Sequence, residues 1–331
     1  MHSANPLARL ARLAILSLAL GATQAFSQSP AGSYPSRPVT TVVAIASGGP
    51  IDFEARLYAA KMNELMGQPF VIDYKPGAGG AIGSAYVAKA APDGYTLLVA
   101  SAALTVAPAF YKNLPYDTVK DFAPVSLMSK RFSVLVVHPA FPGRNFVDYV
   151  AHAKANPGKI NFGTSGVGSI SHLSAAWMHN ATNTRVTFLP YKGNTPLTQD
   201  LIAGRLDAST ANLLGVAPLV KAGKVRVVAF MSNVRSPIFP GIVPIAEQGI
   251  PDFDHVNWLG YVAPGATPAV ITNRLSEGFA KVAKMQDVVT TLETAGGALV
   301  GSTPGEFRQI ISAELVRWRR VVEENGIRPE E

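Results

Sequence analysis

The sequence predicts an α/β protein built from two similar halves, and three features support that prediction. Short apolar stretches typical of strands alternate with helical stretches along most of the chain, the order in which helices cover mostly parallel sheets. Small-residue loops stand between a strand and a helix at two places, 47–49 and 164–169. These loops begin 117 residues apart, as do the Tyr-Lys pairs at 74–75 and 191–192. The repeated order indicates two βαβ-type lobes that face each other across a cleft.

The N-terminal residues have the composition of a secretory signal peptide. Arg9 and Arg12 precede an apolar stretch from Leu13 to Leu20, and small residues follow it. This order is that of a leader, and the apolar stretch is too short for a stable membrane anchor, which is the alternative. We therefore predict a signal peptide over 1–27, cleaved after Ala25 or Ser27, and export to the periplasm. About 300 residues then remain, enough for two domains of modest size.

The first half of the remaining chain alternates strands with helices. Strands are predicted at 39–46, 69–75 and 95–101, and helices at 52–67 and after the glycine-rich turn that opens at Pro76. Gly67 closes the first helix, and the turn Pro92-Asp93-Gly94 introduces the third strand.

The second half continues the same alternation and ends in two long helices. Strands are predicted at 131–139, 159–165, 184–193, 205–213 and 225–232, the third and fourth running into loops, and helices at 145–158, 171–182, 195–204, 267–285 and 303–326. Each of the last two helices opens with Thr-Pro, which places a hydroxyl near the cap and proline in the first turn.

Composition and charge exclude several classes of chemistry. The chain has no cysteine, which excludes disulfides and thiolate catalysis. Its formal net charge is +7, and removal of Arg9 and Arg12 with the leader, which contains no acidic residue, leaves +5. The basic residues form no cluster with interleaved aromatic residues, so nucleic acid is not expected as a partner. A mildly positive field favours small anions instead.

The two small-residue loops are the candidate binding site. The first turn of a helix leaves backbone N–H groups unpaired, and the helix dipole favours negative charge there. Glycines at 48, 49, 166 and 168 allow a ligand to approach the backbone, and hydroxyl donors stand at 47, 164, 165 and 169. Ligands gather at the carboxyl ends of strands in open α/β sheets. The residues thus predict capture of a small anion, most simply a carboxylate; ordinary turns and helix caps are the alternative.

Two charged or titratable residues beside these loops have simpler interpretations. Asp52 lies in the first turn of a predicted helix, where an acidic side chain is already favourable. His172 lies just inside another helix, a position more typical of a packed or capping histidine than of a functional one.

The sequence does not match the common catalytic and nucleotide-binding motifs, because the required residues do not stand at the required spacing. A GxGxxG motif over 77–82 would need glycine where Ile82 stands, and no GxxxxGK[ST] occurs. The stretch 163–167 ends in Val167 where a GxSxG elbow needs glycine. No HExxH or paired-histidine spacing supports a metal. The sequence thus offers binding groups without recognisable catalytic machinery, and we expect neither a cofactor nor an enzyme.

Several longer stretches resemble one family of transport proteins. The sequence contains VIDYKPGAGGAIGSAYVAKAAPDGYTLLVAS, NLPYDTVKDFAPVSLM, HAKANPGKINFGTSGVGSISHL and LPYKGNTPLTQDLIAGRLDA in this order. Together they resemble the Bug-type (TctC-like) periplasmic solute-binding proteins of tripartite tricarboxylate transporter systems. The resemblance extends from about Tyr34 to Ile327.

The resemblance implies a two-lobed periplasmic-binding-protein fold, the Venus flytrap of type II, in which each lobe is a mostly parallel sheet flanked by helices. Lobe 1 would comprise 34–132 plus 254–331, and lobe 2 would comprise 133–253. A hinge is expected where the chain crosses between them, near 130–133 and 252–256. The ligand-binding positions implied by the family are Ser47, Gly48, Gly49, Pro50, Ile51, Asp52, Ser101, Ala102, Thr164, Ser165, Gly166, Gly168, Ser169, His172, Tyr191 and Asn212.

The chain departs from the family pattern around the first loop and at 211–212 in predicted lobe 2. Ser47 stands where relatives usually have Pro, and Pro50 and Ile51 stand where they tend to have small polar residues. Neither Pro50 nor Ile51 can donate a side-chain hydrogen bond. Ala211 replaces a frequent Asp before Asn212, which disfavours an ammonium-bearing ligand. We expect a pocket more apolar than is usual, suited to an aromatic or branched carboxylate.

The predicted function is that of a monomeric periplasmic receptor that closes on a small carboxylate and delivers it to a tripartite tricarboxylate-type transporter in the membrane. Two alternatives remain open at this point. The liganded protein could signal to a periplasmic sensor domain, which needs the same ligand-dependent shape. A hydrolase or isomerase with His172 as base is the other alternative.

Overall fold

The computed structural model describes residues 34–233, 235, 240–251, 253–294 and 297–327. The predicted signal peptide, 1–27, lies outside these residues. Pro35–Glu331 is one compact unit, and every element named below belongs to it. Within the described residues, no helix has both the length and the apolar character needed to cross a membrane.

In the part of the chain that the structure describes, ten strands pair into one mixed sheet. They are β1 (Val39–Val43), β2 (Phe70–Tyr74), β3 (Thr96–Ser101), β4 (Phe122–Val137), β5 (Asn161–Thr164), β6 (Thr187–Pro190), β7 (Ala208–Asn212), β8 (Arg226–Phe230), β9 (Val256–Pro264) and β10 (Gly297–Leu299). The strand order is β2-β1-β3-β9-β4-β7-β5-β6, and β8 and β10 also pair with β4.

Among the described residues, ten α-helices accompany the strands. They are α1 (Pro50–Met66), α2 (Ala81–Ala88), α3 (Ala103–Phe110), α4 (Phe146–Ala155), α5 (Ile170–Ala181), α6 (Asn194–Ile202), α7 (Leu213–Lys221), α8 (Ala269–Val282), α9 (Gln286–Thr294) and α10 (Pro304–Glu324). Two short 3₁₀ turns occupy Ala78–Gly80 and Ile245–Gln248. The α/β prediction is therefore confirmed.

The direction of the strands corrects one detail of that prediction. β1 lies parallel to β2 and β3, and β5 lies parallel to β6 and β7, as the strand–loop–helix order predicts. β9 is antiparallel to β3 and β4, and β4 is antiparallel to β7, β8 and β10. The sheet is thus mixed rather than mostly parallel, because the two longest strands run against their neighbours.

Strand β4 is longer than predicted and changes partners along its length. Its residues 122–132 pair with β9, and its residues 133–137 pair with β7 and β8. Only the stretch from 131 onward was predicted as a strand. The earlier part is buried on both faces, so it lacks the alternation of apolar and polar residues that marks a half-exposed strand. Pro124, next to an irregularity in the pairing with β9, also argued against a strand.

Helix ends follow the predicted signals with one exception. Gly67 closes α1 with φ of 70°, a left-handed conformation that glycine adopts without strain. Thr303 caps α10, accepting from the N–H of Glu306, whose carboxylate accepts from the N–H of Thr303. In α8 the N-cap is Pro268, so the hydroxyl of Thr267 does not cap that helix.

Helix α3 was not predicted, and its position matters for the site. Pro108 lies inside it, which argues against a helix because proline lacks an N–H and obstructs the preceding turn. Residues Leu104, Val106 and Phe110 are nevertheless buried. Tertiary packing therefore sustains a helix that local propensity disfavours.

Candidate functional site

A cavity of about 490 Å³ lies between the second predicted loop and the residues that flank the first, a volume suited to a small metabolite. Its described lining consists of Ile45, Ile51, Gly79, Ser101, Ala103, Val106, Ala107, Tyr111, Ser165, Gly166, Val167, Gly168, Ser169, Ile170, Tyr191, Lys192, Gly193 and Asn257. Lys192 is the one lysine or arginine in this lining, and none of these residues is Asp or Glu.

Four helices begin at the wall of this cavity. Ile51 is the second residue of α1, Ala103 and Ile170 are the first residues of α3 and α5, and Gly193 is the N-cap of α6. A helix N-terminus carries a partial positive charge and unpaired N–H donors. Four of them, together with Lys192, make the cavity electropositive. The arrangement suits an anion.

The first loop leads into α1 without a side-chain cap. Gly49 is the N-cap with extended backbone angles, and Pro50, which has no N–H, is the first helical residue. The N–H of Gly48 donates to Asp52 Oδ2 at 2.8 Å. Ile51 is thus the residue of this loop whose side chain reaches the cavity wall.

Asp52 is held inside the fold. Its Oδ1 accepts from Arg56 Nε at 2.9 Å and from the hydroxyl of Tyr74 on β2. Burial alone would raise the pKa of Asp52, but the hydrogen bonds from Tyr74, the Gly48 backbone and Arg56 outweigh it and hold the pKa below its ordinary value. The interpretation of Asp52 as a residue that organises the helix start fits these contacts.

The second loop is organised by three serines. The N–H of Ser165 donates to Ser171 Oγ at 2.9 Å, and the two hydroxyls are 2.8 Å apart. Ser171 Oγ lies 2.8 Å from Ser169 Oγ, which donates to the carbonyl of Gly166 at 2.7 Å. Ser169 also caps α5 by accepting from the N–H of His172 at 3.2 Å. The loop is therefore ordered by its own hydrogen bonds.

Gly168 brings this loop against α3. Its φ of 68° is left-handed, and a Cβ built there would lie 2.3 Å from Cδ1 of the buried Phe110. Only glycine satisfies both the backbone angle and the close approach. Gly168 thus determines how close the second loop lies to α3, a helix that lines the cavity.

His172 lies behind the loop rather than in the cavity wall. Its Nδ1 accepts from the N–H of Gly168 at 3.2 Å, so the neutral ring carries its proton on Nε2. Burial lowers the pKa of His172. The ring borders a separate cavity of about 350 Å³, together with Phe110 and Phe188.

The third side of the cavity follows β6. The N–H of Tyr191 donates to the carbonyl of Thr164 at 2.8 Å, and its hydroxyl donates to Asp200 Oδ2 on α6 at 2.8 Å. Burial and this hydrogen bond to Asp200 raise the pKa of Tyr191. Lys192 is exposed at the rim. Asn257, across the cavity on β9, has its Nδ2 3.3 Å from Ser133 Oγ.

The structure brings part of the predicted set to the cavity. The predicted residues in its lining are Ile51, Ser101, Ser165, Gly166, Gly168, Ser169 and Tyr191. The predicted residues outside its lining are Ser47, Gly48, Gly49, Pro50, Asp52, Ala102, Thr164, His172 and Asn212. Ala102 and Thr164 are buried, whereas Ser47 and Gly48 are exposed.

Other lining residues were not predicted. Ala103, Val106 and Ala107 belong to α3, which the sequence did not indicate as a helix. Gly79 and Lys192 lie in the PGAGG and Tyr-Lys stretches, so a signal for them existed. No group of three or more metal-ligating side chains occurs in the part of the chain that the structure describes.

Comparison with known proteins places these features in context. A family model described as the tripartite tricarboxylate transporter family receptor matches residues 54–327. Protein BugT of Bordetella pertussis is 33% identical over 316 residues, which cover 95% of this chain and 97% of BugT.

Solved structures are similar over nearly the whole fold. The R. palustris protein Rpa4515 with adipate has a TM-score of 0.83 and 33% identity, covering 90% of this chain and 100% of that one. The periplasmic binding protein BugD has a TM-score of 0.81 at 29% identity, covering 90% of this chain and 100% of BugD. MatC from Rhodopseudomonas palustris with bound malate has a TM-score of 0.79 at 31% identity, with 87% and 100% covered. The fold is thus that of the periplasmic binding proteins.

Proposed function

This chain belongs to the tripartite tricarboxylate transporter receptor family, and we propose that it is a periplasmic receptor which captures a small carboxylate in its cavity and delivers it to a tripartite tricarboxylate-type transporter in the membrane. One observation carries the proposal. Four helix N-termini and Lys192 border the cavity, and its described lining contains no acidic side chain. Such a site attracts a carboxylate and disfavours a ligand of net positive charge.

The ligand we propose has an apolar body behind its carboxylate. Nine lining residues are apolar or aromatic: Ile45, Ile51, Ala103, Val106, Ala107, Tyr111, Val167, Ile170 and Tyr191. Contact with them stabilises aliphatic or aromatic carbon by about 25 cal/mol per Å² removed from water. The relatives with adipate and with malate support the carboxylate class. A branched or aromatic carboxylate fits this lining best.

Closure of two lobes is the proposed mode of capture. The change of partners within β4, between Phe132 and Ser133, supports a division into 34–132 plus 254–331 and 133–253. The chain returns between these parts near His255, whose N–H donates to the carbonyl of Met231. A ligand that contacts both parts would favour the closed state in proportion to its added contacts there.

The remaining parts of the proposal concern location, oligomeric state and catalysis rather than the binding site. We propose export through the predicted signal peptide, action as a monomer and no catalytic step. Family membership and the periplasmic binding protein BugD support the periplasmic location.

The first test asks whether the purified protein carries a bound ligand. Native mass spectrometry of protein purified from the periplasm should reveal a bound carboxylic acid of one mass. Calorimetric titration with adipate, malate, 4-methylpentanoate and benzoate then measures affinity, and the matching amides serve as uncharged controls. A folded protein that binds none of these acids, or binds the amides equally well, would contradict the proposal.

Lys192 provides the residue-level test. Lys192→Met should weaken carboxylate binding about tenfold, or about 1.4 kcal/mol, because an ammonium at the rim is lost. Lys192→Arg should keep most of the affinity. Lys224→Met, at another exposed lysine outside the cavity lining, is the matched control and should bind as the wild type does.

A further inference from the structure

Three hydroxyl groups of the second loop form a chain whose direction can be worked out. Ser165 Oγ and Ser171 Oγ are 2.8 Å apart, as are Ser171 Oγ and Ser169 Oγ. Ser169 Oγ lies 2.7 Å from the carbonyl oxygen of Gly166. A carbonyl can only accept, so the single proton of Ser169 is donated to Gly166.

That assignment determines the other two protons. Because Ser169 has no second proton, Ser171 must donate to Ser169. Because Ser171 then has no proton left, Ser165 must donate to Ser171. The chain therefore runs from Ser165 through Ser171 and Ser169 to the carbonyl of Gly166, and each hydroxyl polarises the next.

The three hydroxyls differ in their remaining capacity to form hydrogen bonds. Ser169 also accepts from the N–H of His172, and Ser171 also accepts from the N–H of Ser165. Both have thus used one proton and two lone pairs, the full capacity of a hydroxyl. Ser165 Oγ accepts no hydrogen bond within this network, and Ser165 lines the cavity.

Ser165 is also the one hydroxyl that can be redirected without breaking the rest of the chain. If its proton turns toward a ligand, Ser171 still donates to Ser169 and still accepts from the Ser165 N–H. If the proton of Ser169 turned, the loop would lose its bond to Gly166 beside the cap of α5. Ser165 and Ser169 both line the cavity, but only the Ser165 hydroxyl can donate to a ligand while the loop keeps its other hydrogen bonds.

We propose that Ser171 is a positioning residue, which acts by holding Ser165 so that the Ser165 hydroxyl can donate to the ligand carboxylate. The proposal rests on the carboxylate-binding function proposed above and assigns the contact to one side chain. Ser171 is itself 7% exposed and outside the cavity lining. Its effect on binding must therefore pass through the loop.

A double-mutant cycle with Ser165→Ala and Ser171→Ala tests this assignment. Adipate and 4-methylpentanoate are the probes, titrated by calorimetry. Each single variant should weaken binding of the tighter probe about tenfold, or about 1.4 kcal/mol. The double variant should bind as Ser165→Ala does, because Ser171 has nothing left to position. Ser171→Thr, which keeps the hydroxyl, should restore most of the affinity.

Two results would overturn the assignment. Additive losses, about a hundredfold in the double variant, would mean that Ser171 acts independently of the Ser165 hydroxyl. An unchanged affinity in Ser171→Ala would mean that Ser171 has no role in binding. Urea unfolding of each variant without ligand checks that the fold is intact.

Absence of probe binding by the wild-type protein is a separate outcome. If folded wild-type protein binds neither probe, the carboxylate-binding proposal itself is contradicted for these acids, and the role of Ser171 with it. If the wild type binds and the cycle is additive, only the role of Ser171 is rejected.

Discussion

Gly168 is the residue at which one added methyl group should impair both binding and stability. Its φ is 68°, and a Cβ there would meet the ring of Phe110 at 2.3 Å. Gly168→Ala should therefore displace the second loop, weaken carboxylate binding at least tenfold and lower the free energy of unfolding. Calorimetric titration and urea unfolding measure the two effects.

Gly223 provides the matched control for Gly168. Its φ of 65° is nearly the same, but a Cβ there would meet nothing within 4 Å. Gly223→Ala should lower the free energy of unfolding by about 1 kcal/mol through backbone strain alone and leave binding unchanged. Equal effects of the two substitutions on binding would contradict the role given to Gly168.

Residue types were predictable from the sequence, but side-chain directions were not. Glycine and hydroxyl content identified the second loop, and Ser165, Gly166, Gly168 and Ser169 all line the cavity. Nothing in the sequence indicates that the proton of Ser169 is donated to the carbonyl of Gly166. That direction depends on the folded loop, which brings Ser169 Oγ within hydrogen-bond distance of the Gly166 carbonyl and of Ser171 Oγ. Ser169→Ala is thus expected to weaken the cap of α5 as well as the site.

At the scale of elements, Glu314 joins three of them. It lies on α10, and its Oε2 accepts from Thr105 Oγ1 of α3 at 2.7 Å and from Trp258 Nε1 of β9 at 2.8 Å. Burial raises the pKa of Glu314 above its ordinary value of 4.5, more than the hydrogen bonds from Trp258 and Thr105 lower it. The folded state therefore binds this proton more tightly than the unfolded state does.

The sign of the pH dependence follows from that difference. The stabilisation associated with a raised pKa is fully present below the unfolded value and is lost as pH rises through the folded value. Glu314→Gln keeps an oxygen that accepts both hydrogen bonds and removes the charge. The variant should exceed the wild type in free energy of unfolding at pH 8, and the gap should shrink as pH falls toward 4.5. Urea unfolding across this range measures it.

Glu306 on the same helix is the control of opposite sign. It is exposed, and hydrogen bonds from the Thr303 N–H and hydroxyl lower its pKa. Glu306→Gln should therefore reduce stability at neutral pH, and this loss should diminish in acid. A gain in stability for Glu306→Gln, or none for Glu314→Gln at pH 8, would contradict the electrostatic account.

Elements with strong end signals were predictable, and those sustained by packing were not. The helix that ends at Gly67 and the helix capped at Thr303 were both identified. Helix α3 contains Pro108, and the first part of β4 is buried on both faces. Their local sequences therefore lack the periodicity that a prediction needs. The lining residues Ala103, Val106 and Ala107 belong to α3, so the site was predicted less completely than the fold.

At the scale of the whole molecule, one apolar cluster crosses the predicted boundary between lobes. It contains Val106, Phe110 and Trp318, which belong to predicted lobe 1, together with Phe146 and Phe162 of predicted lobe 2. The periodicity of α10 indicates which of its faces is apolar but cannot indicate the partner that covers it. We therefore expect both parts to unfold together in the wild type, in one cooperative transition.

Trp318 is the residue with which to test that coupling. It is 1% exposed on α10 and lies in the shared cluster. Phe307, on the same helix and 0% exposed, packs instead in a cluster with Val42 and Phe122 of predicted lobe 1. Trp318→Ala and Phe307→Ala should each lower the free energy of unfolding by about 3–5 kcal/mol. Similar losses make the pair a matched comparison.

Hydrogen exchange distinguishes the two variants. In the wild type and in Phe307→Ala, amides of β1 and β5 should exchange with the same opening free energy, because the shared cluster still couples them. In Trp318→Ala, the two sets should separate, since the largest of the three α10 side chains in the shared cluster is lost and only Val321 and Val322 remain there. Coincident exchange in Trp318→Ala would mean that β4, which pairs on both sides of that boundary, and the remaining members of the shared cluster are enough to hold the two halves together.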